Sequence, residues 1–155
     1  CAAKDYPVPK VLLEPGRSIV ANAGLTLYRV GGIKTIEGYR SYVTVNGGMT
    51  DNPRYALYKA PYTVVPASRM NDAREFTCTV AGRCCESGDL IQENIQLPEM
   101  RRDDLLAVLT TGAYNFTMAS NYNRLCRPAL VMVRNGKARL AVRRQTFADL
   151  VACDL

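Results

Sequence analysis

Apolar and polar residues alternate with a period near two through most of this chain, and the alternating runs are broken at short intervals by glycine, proline and asparagine. The runs "LTLYRVGGIKTI" and "YRSYVTVNGG" predict paired strands over 25–36 and 39–48. "APYTVVPAS", "REFTCTVAG", "DLIQENIQLP", "DLLAVLTTG", "ALVMVRNG" and "ARLAVRRQ" continue the series at the spacing of a sandwich or barrel. Asn135-Gly136 marks the clearest hairpin, because Asn-Gly supplies both positive-φ positions of a tight turn. The tail "TFADLVACDL" predicts a final helical turn capped by Thr146.

The first residues follow another rule. Residues 10–13, "KVLL", predict a short strand; a Pro-Gly turn then leads into a short helix over Arg17–Ala23, stopped at Gly24. The expected fold is therefore mainly β, an antiparallel Greek-key barrel or sandwich over residues 26–155, preceded by one strand–helix unit in residues 1–25. A lone unit of that kind cannot bury both its faces, and the chain opens on Cys1 rather than Met. Both features lead to the expectation that Cys1 is a cut edge.

Composition narrows the function. With 48% hydrophobic and 22% charged residues the chain reads as an ordered globular domain. It contains no apolar run of about eighteen residues, so no membrane-spanning helix is expected. Twenty basic against fourteen acidic residues give a net charge of +6. The basic residues are scattered rather than interleaved with aromatics, which argues against nucleic acid and for a solvated basic face. Six cysteines show no Cys-x-x-Cys spacing and there is no histidine, so zinc is not expected and the thiols read as reduced and cytoplasmic. The lack of histidine also removes Ser-His and Cys-His nucleophiles.

Four segments carry candidate chemistry. In "EPGRS" the N–H groups of Gly16, Arg17 and Ser18 at a strand-to-helix turn suit a phosphate, although Pro-Gly turns also precede ordinary helices. "DNPRYALY" offers Arg54 for a carboxylate and Tyr58 for a further hydrogen bond, or is a plain surface loop. In "CCESGD" an acidic neighbour favours a protonated thiol, so Cys85 suits a general acid better than a nucleophile, and Glu86 suits an ammonium; the alternative is a Glu-Ser-Gly-Asp β-turn beside two packed cysteines. "TGAYNFTMASNYN" lacks apolar periodicity and suits a polar cavity wall, with Tyr114 able to donate to a phosphate, or else core or turn packing.

In this order, "EPGR", "DNPRYALY", "CCESGD" and "TGAYNFTMASNYN" resemble the C-terminal portion of the diaminopimelate decarboxylase family, among the fold-type III pyridoxal-phosphate decarboxylases. The likeness runs through the closing "VRRQTFADLVACDL", with Tyr55 standing where the family usually has proline and Cys126 before Arg127-Pro128 as departures. The resemblance implies that residues 1–25 end a (β/α)8 barrel and that Glu14, Pro15, Gly16 and Arg17 hold the phosphate of pyridoxal 5'-phosphate. Arg17 would also face the substrate, Tyr114 would touch both cofactor and substrate, and Arg54 and Tyr58 would hold the substrate's distal end. Cys85 would donate the proton and Glu86 would bind substrate, both in the site of a partner subunit within a head-to-tail homodimer. The implied reaction is decarboxylation of meso-diaminopimelate to L-lysine and carbon dioxide.

The family's cofactor-binding lysine lies in a Lys-Ala-Asn context. Here Lys59 and Lys137 precede Ala, but then Pro and Arg. The chain alone is therefore expected to be inactive. Two other readings stand beside this one: a non-catalytic β domain for dimerisation or docking, and a related decarboxylase acting on ornithine, arginine or carboxynorspermidine.

Overall fold

The computed structural model describes residues 2–155; Cys1 lies outside the described residues. The long strand β1 (Leu25–Ile36) is the spine of a six-stranded sheet. Its first half pairs antiparallel with β6 (Leu105–Leu109), and its second half pairs antiparallel with β2 (Arg40–Val45). The change of partner falls at a register shift between Val30 and Gly32, where an extra residue bends the strand. The remaining strands are β3 (Val64–Pro66), β4 (Phe76–Ala81) and β5 (Leu90–Leu97). They complete the order β3-β6-β1-β2-β4-β5, and Tyr62 N–H donates to Gln92 Oε1 at 2.9 Å beside the seam between the two end strands. The sheet is barrel-like and nearly closed.

Every second residue explains the core. Tyr28 and Val30 of β1, Val43 and Val45 of β2, and Leu106 and Val108 of β6 all point inward and are buried. That is the period of a strand with one face dry. One pair departs from the antiparallel expectation, since β2 and β4 run parallel. Parallel neighbours need a crossover connection, and here it contains the helix α2 (Arg54–Tyr58) and β3.

The N-terminal segment corrects one expectation. Residues 10–13 form no strand, and Val11, Leu12 and Leu13 are exposed. A strand exists only by pairing, and no strand among the described residues pairs with this segment. The helix α1 (Arg17–Val20) is shorter than expected and passes into a 3₁₀ turn, Ala21–Ala23. Gly24 then ends it because the chain touches Gly112, whose backbone a Cβ on Gly24 would strike. Gly112 N–H donates to Ala21 O at 2.9 Å and Thr111 N–H to Gly24 O at 3.0 Å, tying this helix to the loop after β6.

The chain closes on a separate hairpin, β7 (Leu130–Arg134) and β8 (Lys137–Val142). Its turn has the predicted positive φ at Asn135 (51°) and Gly136 (71°). Gln145 fastens the strand end, accepting from Asn121 Nδ2 at 2.6 Å and Arg127 N–H at 2.8 Å. The last helix, α3 being the Asn115–Met118 turn, is α4 (Phe147–Leu150); Thr146 caps it as the sequence predicts, and Asp149 returns the bond to the Thr146 backbone. No described helix is long and apolar enough to cross a membrane.

Candidate functional site

Gly16, Arg17 and Tyr114 meet. The Arg17 guanidinium lies 5.2 Å from the centre of the Tyr114 ring and reaches Ala113 O at 3.5 Å. The Tyr114 hydroxyl occupies the space that a Cβ on residue 16 would fill, so only glycine lets the phenol approach this turn. No side chain caps the start of α1. With four residues that helix has little dipole, and Arg17 supplies most of the positive charge. An uncapped turn, a guanidinium and a phenol at one point fit a phosphate group. Glu14 and Pro15 are exposed on the extended segment leading into it.

Tyr114 is held there at a cost. Its φ is 68°, in the left-handed region that a bulky residue seldom adopts. The next residue supplies the anchor: buried Asn115 donates through Nδ2 to Asn52 Oδ1 and also lies 3.1 Å from the Tyr62 hydroxyl. The Tyr62 ring in turn carries the Arg54 guanidinium, 5.3 Å from its centre. Arg17, Tyr114, Asn115, Tyr62 and Arg54 thus form one continuous set of contacts. Burial pushes the Tyr62 hydroxyl above its ordinary pKa, while Asn115, Arg54 and Arg17 pull the other way. Arg54 has no carboxylate partner among the described residues. Tyr58, one helical turn on, is exposed on the same face of α2.

The Cys85 turn is a separate structure. Glu86 N–H donates to Cys84 O at 2.8 Å and Asp89 N–H to Glu86 O at 3.0 Å, so Cys85 stands at the apex of one tight turn and Glu86 opens a β-turn. Cys85 and Glu86 are both exposed. Cys85 N–H donates to Asn123 Oδ1 at 2.8 Å, binding this turn to the segment that begins with Tyr114. The Glu86 carboxylate accepts from Gly88 N–H at 3.1 Å. Cys84 points inward; burial, then the charge of Asp89, raise its thiol to about 11.

Sequence reasoning missed Asp51, Asn52, Tyr62, Asp89 and Asn115. Asp89 is buried and accepts from Met49 N–H at 2.6 Å and Cys84 N–H at 2.7 Å, while a Cβ on Gly48 or Gly82 would strike its carboxylate. Asp51 accepts from the Tyr28 hydroxyl and from Gly48 N–H, and burial raises its carboxyl above the usual range. Only the glycines at 47, 48 and 82 hinted at these close approaches.

The Gly16 turn with Arg17 and Tyr114, the Arg54 guanidinium and the exposed Cys85 thiol thus accompany a barrel-like β domain. Comparison with known proteins is more specific. Residues 17–112 match the family profile described as "Pyridoxal-dependent decarboxylase, C-terminal sheet domain". The chain is 52% identical over 150 residues to the diaminopimelate decarboxylase of Bacillus subtilis, an alignment covering 97% of this chain and 34% of that protein. It superposes with a TM-score of 0.86 and 34% identity on the diaminopimelate decarboxylase of M. jannaschii in complex with L-lysine, covering 99% of this chain and 35% of that one. The lysine/ornithine decarboxylase of Vibrio vulnificus, solved with cadaverine, superposes with a TM-score of 0.64 and 29% identity over 74% of this chain and 31% of that one. The chain belongs to the pyridoxal-dependent decarboxylases, as their C-terminal sheet domain, and spans about a third of the length of the curated relatives it matches.

Proposed function

We propose that the protein containing this chain is a diaminopimelate decarboxylase, converting meso-diaminopimelate to L-lysine and carbon dioxide. In this reading residues 1–25 close the (β/α)8 barrel that binds pyridoxal phosphate, and residues 26–155 form the β domain. The observation that carries it is the run of contacts from Gly16 and Arg17 through Tyr114, Asn115 and Tyr62 to Arg54.

When bound, pyridoxal phosphate supplies an electron sink for the pair left by the departing carboxylate. This chain supplies the rest. The Gly16 turn, with Glu14 and Pro15 leading into it, Arg17 and the Tyr114 hydroxyl hold the phosphate, and Arg17 and Tyr114 also face the substrate. Arg54 grips the distal carboxylate by paired hydrogen bonds and Tyr58 adds one more. Glu86 takes the distal ammonium. The carbon that loses carbon dioxide needs a proton, and Cys85 delivers it from its thiol.

Cys85 and Glu86 lie on a turn of their own, which suits service in the site of a second copy within a homodimer. A proton-donating thiol must also stay reduced, which suits a cytoplasmic enzyme. Substrate choice follows from charge. Ornithine ends in an ammonium alone and would leave Arg54 desolvated without a partner.

A substrate panel on the full-length enzyme tests this. Arg54→Ala should lower kcat/KM for meso-diaminopimelate about a hundredfold while leaving poor activity on ornithine unchanged. Glu86→Gln should weaken both. Unaltered discrimination in both variants would remove this account of specificity.

A further inference from the structure

We propose that Glu93 is a positioning residue which, held between Tyr55 and Arg40, fixes the orientation of α2 and so sets the grip of Arg54 on the substrate's distal carboxylate. The inference rests on the role of Arg54 proposed above.

The helix α2 has five residues and no side-chain cap at its start. So short a helix has no fixed orientation of its own and takes one from tertiary contacts. Its inward-facing residue is Tyr55, which is buried. The Tyr55 hydroxyl donates to Glu93 Oε2 at 2.5 Å. Glu93 lies on β5, and its other oxygen, Oε1, accepts from Arg40 Nη1 at 2.8 Å, from the first residue of β2. With each carboxylate oxygen committed to a different element, Glu93 cannot turn without breaking a charge-assisted bond. At the far end of the helix the Lys59 ammonium lies 5.0 Å over the Tyr55 ring. The Tyr55 bond, and after it Arg40, hold the Glu93 carboxyl below its usual range, so the arrangement is intact at neutral pH.

Arg54 precedes Tyr55 in the same turn, and its guanidinium lies over the Tyr62 ring, 5.3 Å from its centre. A guanidinium that recognises a carboxylate by two parallel bonds is sensitive to the angle of its backbone. Losing the Tyr55 hydroxyl frees that angle without touching Arg54. The consequence is specific to binding of the distal carboxylate.

The test uses the full-length holoenzyme, with kcat and KM for meso-diaminopimelate measured for wild type, Tyr55→Phe, Glu93→Gln, Arg54→Ala and the Tyr55→Phe/Arg54→Ala pair. Tyr55→Phe keeps the buried ring, and Glu93→Gln keeps the shape and one acceptor, so each guards against a folding failure of the other. Each should raise KM about fivefold with kcat within about twofold of wild type. In the Arg54→Ala background, adding Tyr55→Phe should change KM by less than about twofold, because the side chain it positions is gone. An equal fivefold increment in that background, a kcat loss matching the KM change, or an unmoved KM in both single variants overturns the positioning role. If Arg54→Ala itself leaves KM unchanged, the carboxylate-binding role of Arg54 fails instead, and the positioning role with it.

Discussion

Adjacent Cys84 and Cys85 have opposite surroundings. Cys84 packs under the turn against Asp89, and its thiol is raised to about 11, first by burial and then by that charge. Cys78 in the core is raised to about 11 by burial alone. Cys85 and Cys153 are exposed. Thiolate is the reactive form, and at about pH 8 a thiol of that raised pKa is about one part in a thousand ionised. Brief alkylation of this chain at that pH should therefore modify Cys85 and Cys153 and spare Cys84 and Cys78, as read by fragment mass spectrometry. Cys84 should begin to react only as the pH rises toward 11. Modification of Cys84 ahead of Cys85 would show that the turn is built differently.

Among the elements, the loops owe most to Asp89. One carboxylate fixes the Gly47–Met49 turn and the Cys84 turn, and the tight glycines at 48 and 82 leave room for nothing else. Asp89→Ala would orphan two backbone N–H groups away from water, and should cost about 3 kcal/mol in a chemical-denaturation midpoint series. A loss below about 1 kcal/mol would mean the turns hold themselves.

The β strands are legible in the sequence because alternation is a local signal: Val43 and Val45, or Leu106 and Val108, each betray an inward face within one short window. The Asn135-Gly136 hairpin and the Thr146 cap are equally local. The helix α2 is not legible, since five residues are too few to show a helical period. Nor is the contact of Tyr55 with Glu93 or of Asn115 with Tyr62, because each joins residues far apart in sequence through partners that only the sheet order brings together. Of the expected site residues, Gly16, Arg17, Tyr114 and Arg54 lie in one run of contacts. Glu86 opens the Glu-Ser-Gly-Asp β-turn that the plainer reading of "CCESGD" predicts, whereas Cys85 stands exposed on the turn before it rather than packed.

The expected strand at residues 10–13 fails for a reason that belongs to the whole molecule. Tyr6, Val8, Val11, Leu12, Leu13 and Ile19 are all exposed, and an apolar stretch of this kind needs a surface to cover it. The proposal that residues 1–25 dock into a barrel gives them one. It also places the catalytic lysine elsewhere in the protein. The 155-residue chain, supplied with pyridoxal phosphate and meso-diaminopimelate, should release no carbon dioxide, whereas the full-length protein should release it steadily. Turnover by the chain alone would refute both the barrel assignment and the role given to an outside lysine.

The partner change within β1 has a mechanical corollary. A single ribbon serves as a member of two ladders: the Tyr114 loop follows β6, whose Leu109 faces Leu25 at the start of β1, and the Arg54 loop follows β2, whose Val45 faces Val30 at the middle of β1, so both loops hang from the same half of one axle. Neither ladder can peel away without loosening the other, and the slowest-exchanging amides of Tyr28 and Val43 should let go of their protons together, as one cooperative opening.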